Sequence, residues 1–305
     1  MSLRVAVEPA GVRSYLVRAV EAGGAEVVGP DDADALVWAD PAAPEALSTL
    51  LVAQPAIRWV QLPWAGIEPY VAVVRAHADR TWTCGKGVYA DPVAEHALAL
   101  ALAGRRALDH YTRADGWTGE RGRRLEGARV TILGGGGITE SLLRFLAPFG
   151  CDFTVVRATP RPMPGVGRVL PSDRVDESMT GADLVVLALA LTPDTEGIVD
   201  KRRLGLVADG AGLVNVARGR HVVTDDLIPA LDDGPLGSVG LDVTDPEPLP
   251  ADHPLWHRPD VIITPHVGNT EEMAVPLLST RVTENIRRYR SNAPLLGPVT
   301  PTLGY

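Results

Sequence analysis

At 305 residues the chain is long enough to bury roughly 75% of the surface its unfolded form exposes, and its length fits about two domains. A formal charge of −9, from 38 acidic against 29 basic residues, excludes the basic face that nucleic acid demands, so an anionic ligand must be met by local positive charge. Apolar runs such as residues 184–191 fall short of the ~18–20 residues of a membrane span, and the two cysteines, Cys84 and Cys151, are too few for a disulfide framework or a zinc site. A cytoplasmic protein with reduced thiols, no metal and no membrane contact is expected, its N-terminus opening on a strand rather than a signal peptide.

The first ninety residues alternate short apolar strands (RVAVE, AEVVG, ALVWA, IRWVQL) with helical stretches over 11–24 and 44–53, the pattern of an α/β unit with a parallel sheet. One long bridging helix is predicted from Pro92 to Arg113, with Val93, Ala97, Leu98 and Leu100 on an apolar stripe. From residue 128 the alternation restarts: ARVTIL, DFTVV, ADLVVLALA, GLVNVA, SVGLDV and VIITP predict six strands of a Rossmann-type sheet, with helices between them. A last amphipathic helix, Glu271 to Arg290, precedes a Pro/Gly-rich tail that cannot continue it and is expected to return to the first domain. The fold class is therefore α/β with two Rossmann-like domains. The expected division is 1–92 for a substrate-binding domain, 93–280 for a dinucleotide-binding domain and 281–305 for a segment completing the first.

The strand ARVTIL opens into Gly134-Gly135-Gly136-Gly137-Ile138-Thr139 and then a helix. In a dinucleotide fingerprint the first Gly allows the tight turn, the second lets backbone approach the pyrophosphate, and the third permits close helix–strand packing. Gly134 and Gly136 fill the first two roles. Thr139 occupies the third, and its β-branched side chain is expected to hold the helix slightly off the strand. The second strand ends on Arg157, where an NAD site carries the carboxylate that binds the ribose hydroxyls. With Thr159 and Arg161 in the next loop, the position offers donors to a 2′-phosphate, so NADP is preferred over NAD. The competing readings are that both arginines are solvated loop charges, or that one stacks on adenine.

Three later strands each run into a charged residue: GLVNVA into Arg218, SVGL into Asp242 and VIITP into His266, with Glu247 following the second. Open parallel sheets bind ligands outside the carboxyl ends of their strands. A guanidinium, two carboxylates and an imidazole would gather there. Reduction of a carbonyl by hydride leaves an alkoxide that needs a proton, which an imidazole supplies near neutral pH, and a planar guanidinium can engage a carboxylate and the neighbouring carbonyl of a 2-oxo acid together.

Residues 215–231 (NVARGRHVVTDDLIPAL), 240–256 (GLDVTDPEPLPADHPLW) and 263–270 (ITPHVGNT) resemble the D-isomer-specific 2-hydroxyacid dehydrogenases, which include glyoxylate/hydroxypyruvate reductases. The resemblance implies that Arg218 holds the substrate carboxylate and polarises its carbonyl, His266 exchanges the proton and Glu247 pairs with that histidine. It implies that Asp242 helps hold the nicotinamide, with Gly137, Ile138, Thr192 and Ala217 also on the cofactor. It also implies that the loop WAGIE, through Trp64, Ala65 and Gly66, receives the substrate carboxylate. A small 2-oxo/2-hydroxy acid pair is the implied substrate, and a homodimer built on the bridging helix and the segment around Trp117 the implied assembly. Thr139, and Ala190 where the family usually carries Pro, depart from the pattern near the cofactor. The alternative on this fold is a dinucleotide-sensing, corepressor-like protein acting through partners. His96, His253 and His257 are read as structural.

Overall fold

The structure, a computed structural model, describes residues 2–300. The chain divides into two compact units, one formed by residues 1–89 with 270–305 and the other by residues 90–269. In the first, strands β1 (Arg4–Glu8), β2 (Glu26–Val27), β3 (Ala35–Trp38), β4 (Trp59–Gln61) and β5 (Thr81–Thr83) alternate with helices α1 (Tyr15–Ala22), α2 (Pro44–Ala53) and α3 (Val71–Ala76). The strands form a fully parallel sheet in the order β2-β1-β3-β4-β5. All four residues of β3 are buried, as expected for a central strand covered on both faces.

The second unit begins with α4 (Ala90–Arg105) and α5 (Leu108–Thr112). The predicted continuous helix to Arg113 is thus broken. Ala107 takes a left-handed conformation at φ 52°, the Arg105 carbonyl accepts from the Arg123 amide, and the buried Arg105 side chain turns inward to the Asp183 carbonyl at 2.9 Å. The buried stripe of α4 is Ala94, Ala97, Leu100 and Ala101, mostly small residues, so the helix lies close on the sheet. A Cβ on Gly240 would come 2.9 Å from that of Leu100.

There follow β6 (Arg129–Leu133), α6 (Gly137–Leu146), β7 (Asp152–Val156), β8 (Arg168–Leu170), α7 (Val175–Met179), β9 (Leu184–Leu187), α8 (Lys201–Leu204), β10 (Ala211–Asn215), α9 (Leu227–Asp232), β11 (Leu236–Leu241) and β12 (Val261–Ile263). All strands are parallel, in the order β12-β11-β10-β9-β6-β7-β8. The sheet therefore has seven strands rather than six. The extra one, β8, is three residues at an edge inside a Pro/Gly-rich stretch, too short to show a period. Strand order reverses between β6 and β9, the switch point at which such sheets bind ligands.

The chain returns to the first unit with α10 (Glu271–Arg290), whose Thr270 hydroxyl accepts from the Met273 amide. Ala274, Leu278, Val282 and Ile286, four residues apart, are buried on one face; the last three share a core with Val5, Val20 and Trp59. The expected boundary at 280 would cut this helix in half, whereas the observed one falls before it, at 270. Beyond α10, Cys84 donates from its amide to the Gly297 carbonyl at 2.8 Å and Pro298 bridges Thr83, so the tail lies along β5.

Candidate active site

At the switch point, Gly134 has φ 115°, and a Cβ there would sit 2.1 Å from the Ala188 carbonyl oxygen. Only glycine allows the β6 turn to pass this close to the chain leaving β9. A Cβ on Gly136 would meet nothing within 4 Å, so bare backbone faces open space at the start of α6, which has no side-chain cap on its first amides. Thr139 lies in the first turn of α6. Fully buried, it donates from its hydroxyl to the Gly134 carbonyl at 2.8 Å and ties α6 to the turn it leaves.

Arg157 follows β7 and lies against the same loop, since a Cβ on Gly135 would fall about 3 Å from Arg157 Cβ, Cδ and Nε. Its Nη1 is buried without a hydrogen-bond partner in the protein. Thr159 and Arg161 are exposed. Ile138 and Gly137 begin α6; Thr192 lies in the loop after β9, its amide donating to the Thr195 hydroxyl at 2.8 Å.

After β10, buried Asn215 donates from Nδ2 to the Arg218 carbonyl at 2.8 Å and accepts the Ala217 amide at 3.0 Å, while Arg218 donates its amide to His221 Nδ1 at 3.2 Å and from Nη1 to the Ala217 carbonyl at 2.6 Å. The backbone presenting Arg218 is thus fixed from three sides. A Cβ on Gly219 would lie 1.9 Å from the Thr244 carbonyl oxygen, so this turn packs directly on the segment that leads from β11 to Glu247.

On that segment and the one after β12, His266 Nδ1 and Glu247 Oε1 are 2.7 Å apart, both side chains about half exposed. Asp242, by contrast, is buried. Its carboxylate accepts from Thr264 Oγ1 at 2.6 Å and from the amides of Val267 and Gly268 at 2.8 Å each, with His96 Nε2 at 3.3 Å. Burial works to raise its pKa, but the bonds from His96, Thr264 and the two amides outweigh it and hold the carboxyl below the usual carboxylate range. Beyond the cofactor role expected of it, most of the acceptor capacity of Asp242 shapes the His266 loop.

In the other unit, Trp64 is half-buried, Ala65 exposed and Gly66 half-buried. The Trp64 ring lies under the Arg13 guanidinium at 4.7 Å and against Tyr89 at 5.1 Å, and Arg13 grips Glu271 through two 2.8 Å hydrogen bonds. Arg13 and Glu271 carry no motif and sequence reasoning gave them no part in the site; Thr264, inside the segment 263–270, was given no role, and His96 was read as structural.

Residues 96–268 match the family described as D-isomer specific 2-hydroxyacid dehydrogenase, NAD binding domain. The chain belongs to this family. The dehydrogenase is 31% identical to the glyoxylate/hydroxypyruvate reductase A of Serratia proteamaculans over 71% of its own length and 69% of that protein's. Among solved structures, it resembles a D-isomer specific 2-hydroxyacid dehydrogenase from Xanthobacter autotrophicus in complex with NADPH, at a TM-score of 0.83 and 26% identity over 100% of this chain and 99% of that one. It likewise resembles the NADPH-dependent glyoxylate/hydroxypyruvate reductase of Sinorhizobium meliloti in complex with NADP, at 0.82 and 25% identity over the whole of both chains. The dehydrogenase is an NAD(P)-dependent oxidoreductase of 2-hydroxy acids, and nothing in these likenesses favours the corepressor-like alternative. Its residues fit a dinucleotide: a bare Gly136 backbone, an uncapped helix start and an arginine nitrogen without a protein partner converge on the loop after β6.

Proposed function

We propose that the enzyme reduces a small 2-oxo acid such as glyoxylate, hydroxypyruvate or a larger analogue to the D-2-hydroxy acid, with NADPH as the preferred cofactor. The 2.7 Å His266–Glu247 pair carries this reading. A carboxylate only accepts, so Nδ1 of His266 bears the proton that binds Glu247 and Nε2 is the nitrogen that exchanges a proton with substrate. The bound dinucleotide supplies the hydride. His266 protonates the oxygen that gains charge, Glu247 stabilises the imidazolium before that transfer, and Arg218 holds the carboxylate while polarising the carbonyl. The backbone of Trp64-Ala65-Gly66 serves the substrate carboxylate.

On the cofactor, Gly134, Gly136, Gly137 and Ile138 receive the pyrophosphate, Thr192, Ala217 and the remaining lone pair of Asp242 line the nicotinamide half, and Arg157 meets the 2′-phosphate with Thr159 and Arg161. The unpartnered Arg157 nitrogen supports the last assignment. A homodimer in the cytoplasm completes the reading. Leu108, Tyr111 and Trp117 are exposed apolar side chains within ten residues, Trp117 fully so; the first two lie within the stretch 92–113 assigned to the interface and Trp117 just after it. A panel of 2-oxo acids with NADPH and NADH, followed at the nicotinamide absorbance, tests substrate and cofactor together. Turnover of none of them rejects the proposal, and light scattering that gives a monomer mass at every concentration rejects the dimer.

A further inference from the structure

Asp242 and Thr264 meet a third side chain from a different element. His96, inside α4, places Nε2 2.9 Å from Thr264 Oγ1 and 3.3 Å from Asp242 Oδ1. The hydroxyl has one proton and gives it to Asp242, and an ionised carboxylate has none to give. Nε2 of His96 must therefore be the donor to both, which fixes its protonation without reference to any ligand. The chain of bonds runs from a helix held by Ala94, Ala97 and Leu100 in the core, through Thr264, to the carboxylate that also gathers the Val267 and Gly268 amides.

The loop so held needs holding. His266 sits at φ 55°, a left-handed conformation that is strained for a non-glycine residue and persists where the surroundings over-determine it. Its amide donates to the Asp242 carbonyl at 2.8 Å, and Gly268 packs so tightly that a Cβ would come 2.9 Å from Asp242 Oδ2 and 3.6 Å from the His96 ring. Every one of these contacts returns to Asp242 or its histidine.

We propose that His96 is a positioning residue for His266, donating from Nε2 into the Thr264–Asp242 pair and so fixing the 264–268 loop in the backbone conformation that presents the imidazole to substrate. The proposal rests on the role given above to His266. Sequence gives His96 no such role, because its partners lie 146 and 168 positions away.

His96→Leu removes the donor and His96→Gln keeps one. The leucine variant is expected to lose about ten- to a hundredfold in kcat, the scale of an ångström-level misplacement, with the oxo-acid KM and NADPH affinity little changed, and the glutamine variant to recover most of the loss. Exchange of the Val267 and Gly268 amides should speed up about tenfold or more in His96→Leu and far less in His96→Gln, a readout that needs no turnover. Nitrogen-15 NMR of the wild-type enzyme should show His96 protonated at Nε2. A bare Nε2, wild-type kcat and amide protection in His96→Leu, or a glutamine variant as impaired as the leucine one overturns the proposal. Should His96→Leu fail to fold, the tautomer and the amides of His96→Gln decide. Absence of activity in the wild type alongside the expected exchange and tautomer would instead reject the functional reading alone.

Discussion

Two histidine–carboxylate pairs stand at the carboxyl ends of β11 and β12, and they differ in almost everything but chemistry. The His266–Glu247 side chains are 52% and 44% exposed and face each other across 2.7 Å with no third group between them, whereas those of His96 and Asp242 are 21% and 4% exposed and are joined through a threonine hydroxyl, with two backbone amides also on the carboxylate. In the role proposed above, the open pair is the one left accessible to substrate. The buried pair has its acceptors already engaged within the loop, and those bonds hold the backbone on which His266 is carried.

The sharpest way to break the comparison is to remove the open pair. His266→Ala should lower kcat by about 10²–10⁴-fold, the range of general acid–base catalysis, while leaving NADPH affinity, read by fluorescence titration, near wild type. Equal loss of cofactor binding would show that the exposed pair is structural as well. Arg157→Asp tests the cofactor side of the same sheet: one charge-assisted contact to a 2′-phosphate gives roughly tenfold to a hundredfold selectivity, so kcat/KM measured with both cofactors should move by that amount from NADPH toward NADH. Wild-type enzyme that already favours NADH would make Arg157 a loop charge or an adenine-stacking group.

The buried pair is probed by stability. Asp242→Asn should cost on the order of 1.5–3 kcal/mol in neutral denaturant titrations, the worth of a hydrogen bond to a charged group. Because the folded pKa of Asp242 is depressed below the unfolded value of about 3.9, its stabilisation is complete above that pH and is lost as pH falls through the folded value. The gap between wild type and variant should therefore be widest at neutral pH and narrow in acid, and a constant gap would mean the carboxylate's charge is not what holds the loop. The smallest effect is expected for Thr139→Val, which keeps the shape and removes the bond to the Gly134 carbonyl: about 1 kcal/mol by thermal melting, with kcat unchanged.

What the sequence alone determined is the part written in neighbouring residues. The βα alternation specified two parallel α/β sheets, because a strand period, a helix period and a short turn are each legible within about twenty positions. The glycine turn after β6, Arg157 at the end of β7 and the run of Arg218, Asp242, Glu247 and His266 after successive strands were legible for the same reason: parallel strands deliver their last residues to one edge, so sequence position stands in for spatial position. What only the tertiary structure decided is whatever depends on distant atoms meeting. The bond from Thr139 to the Gly134 carbonyl was not legible, because its neighbours predict packing but not the acceptor its hydroxyl finds. The bridging helix broke at Ala107 because Arg123, sixteen residues further on, competes for a carbonyl the helix would have used. His96 and Asp242 stand 3.3 Å apart across 146 positions, a meeting the sequence does not show, for a hydrogen bond is decided by fractions of an ångström that no local pattern encodes.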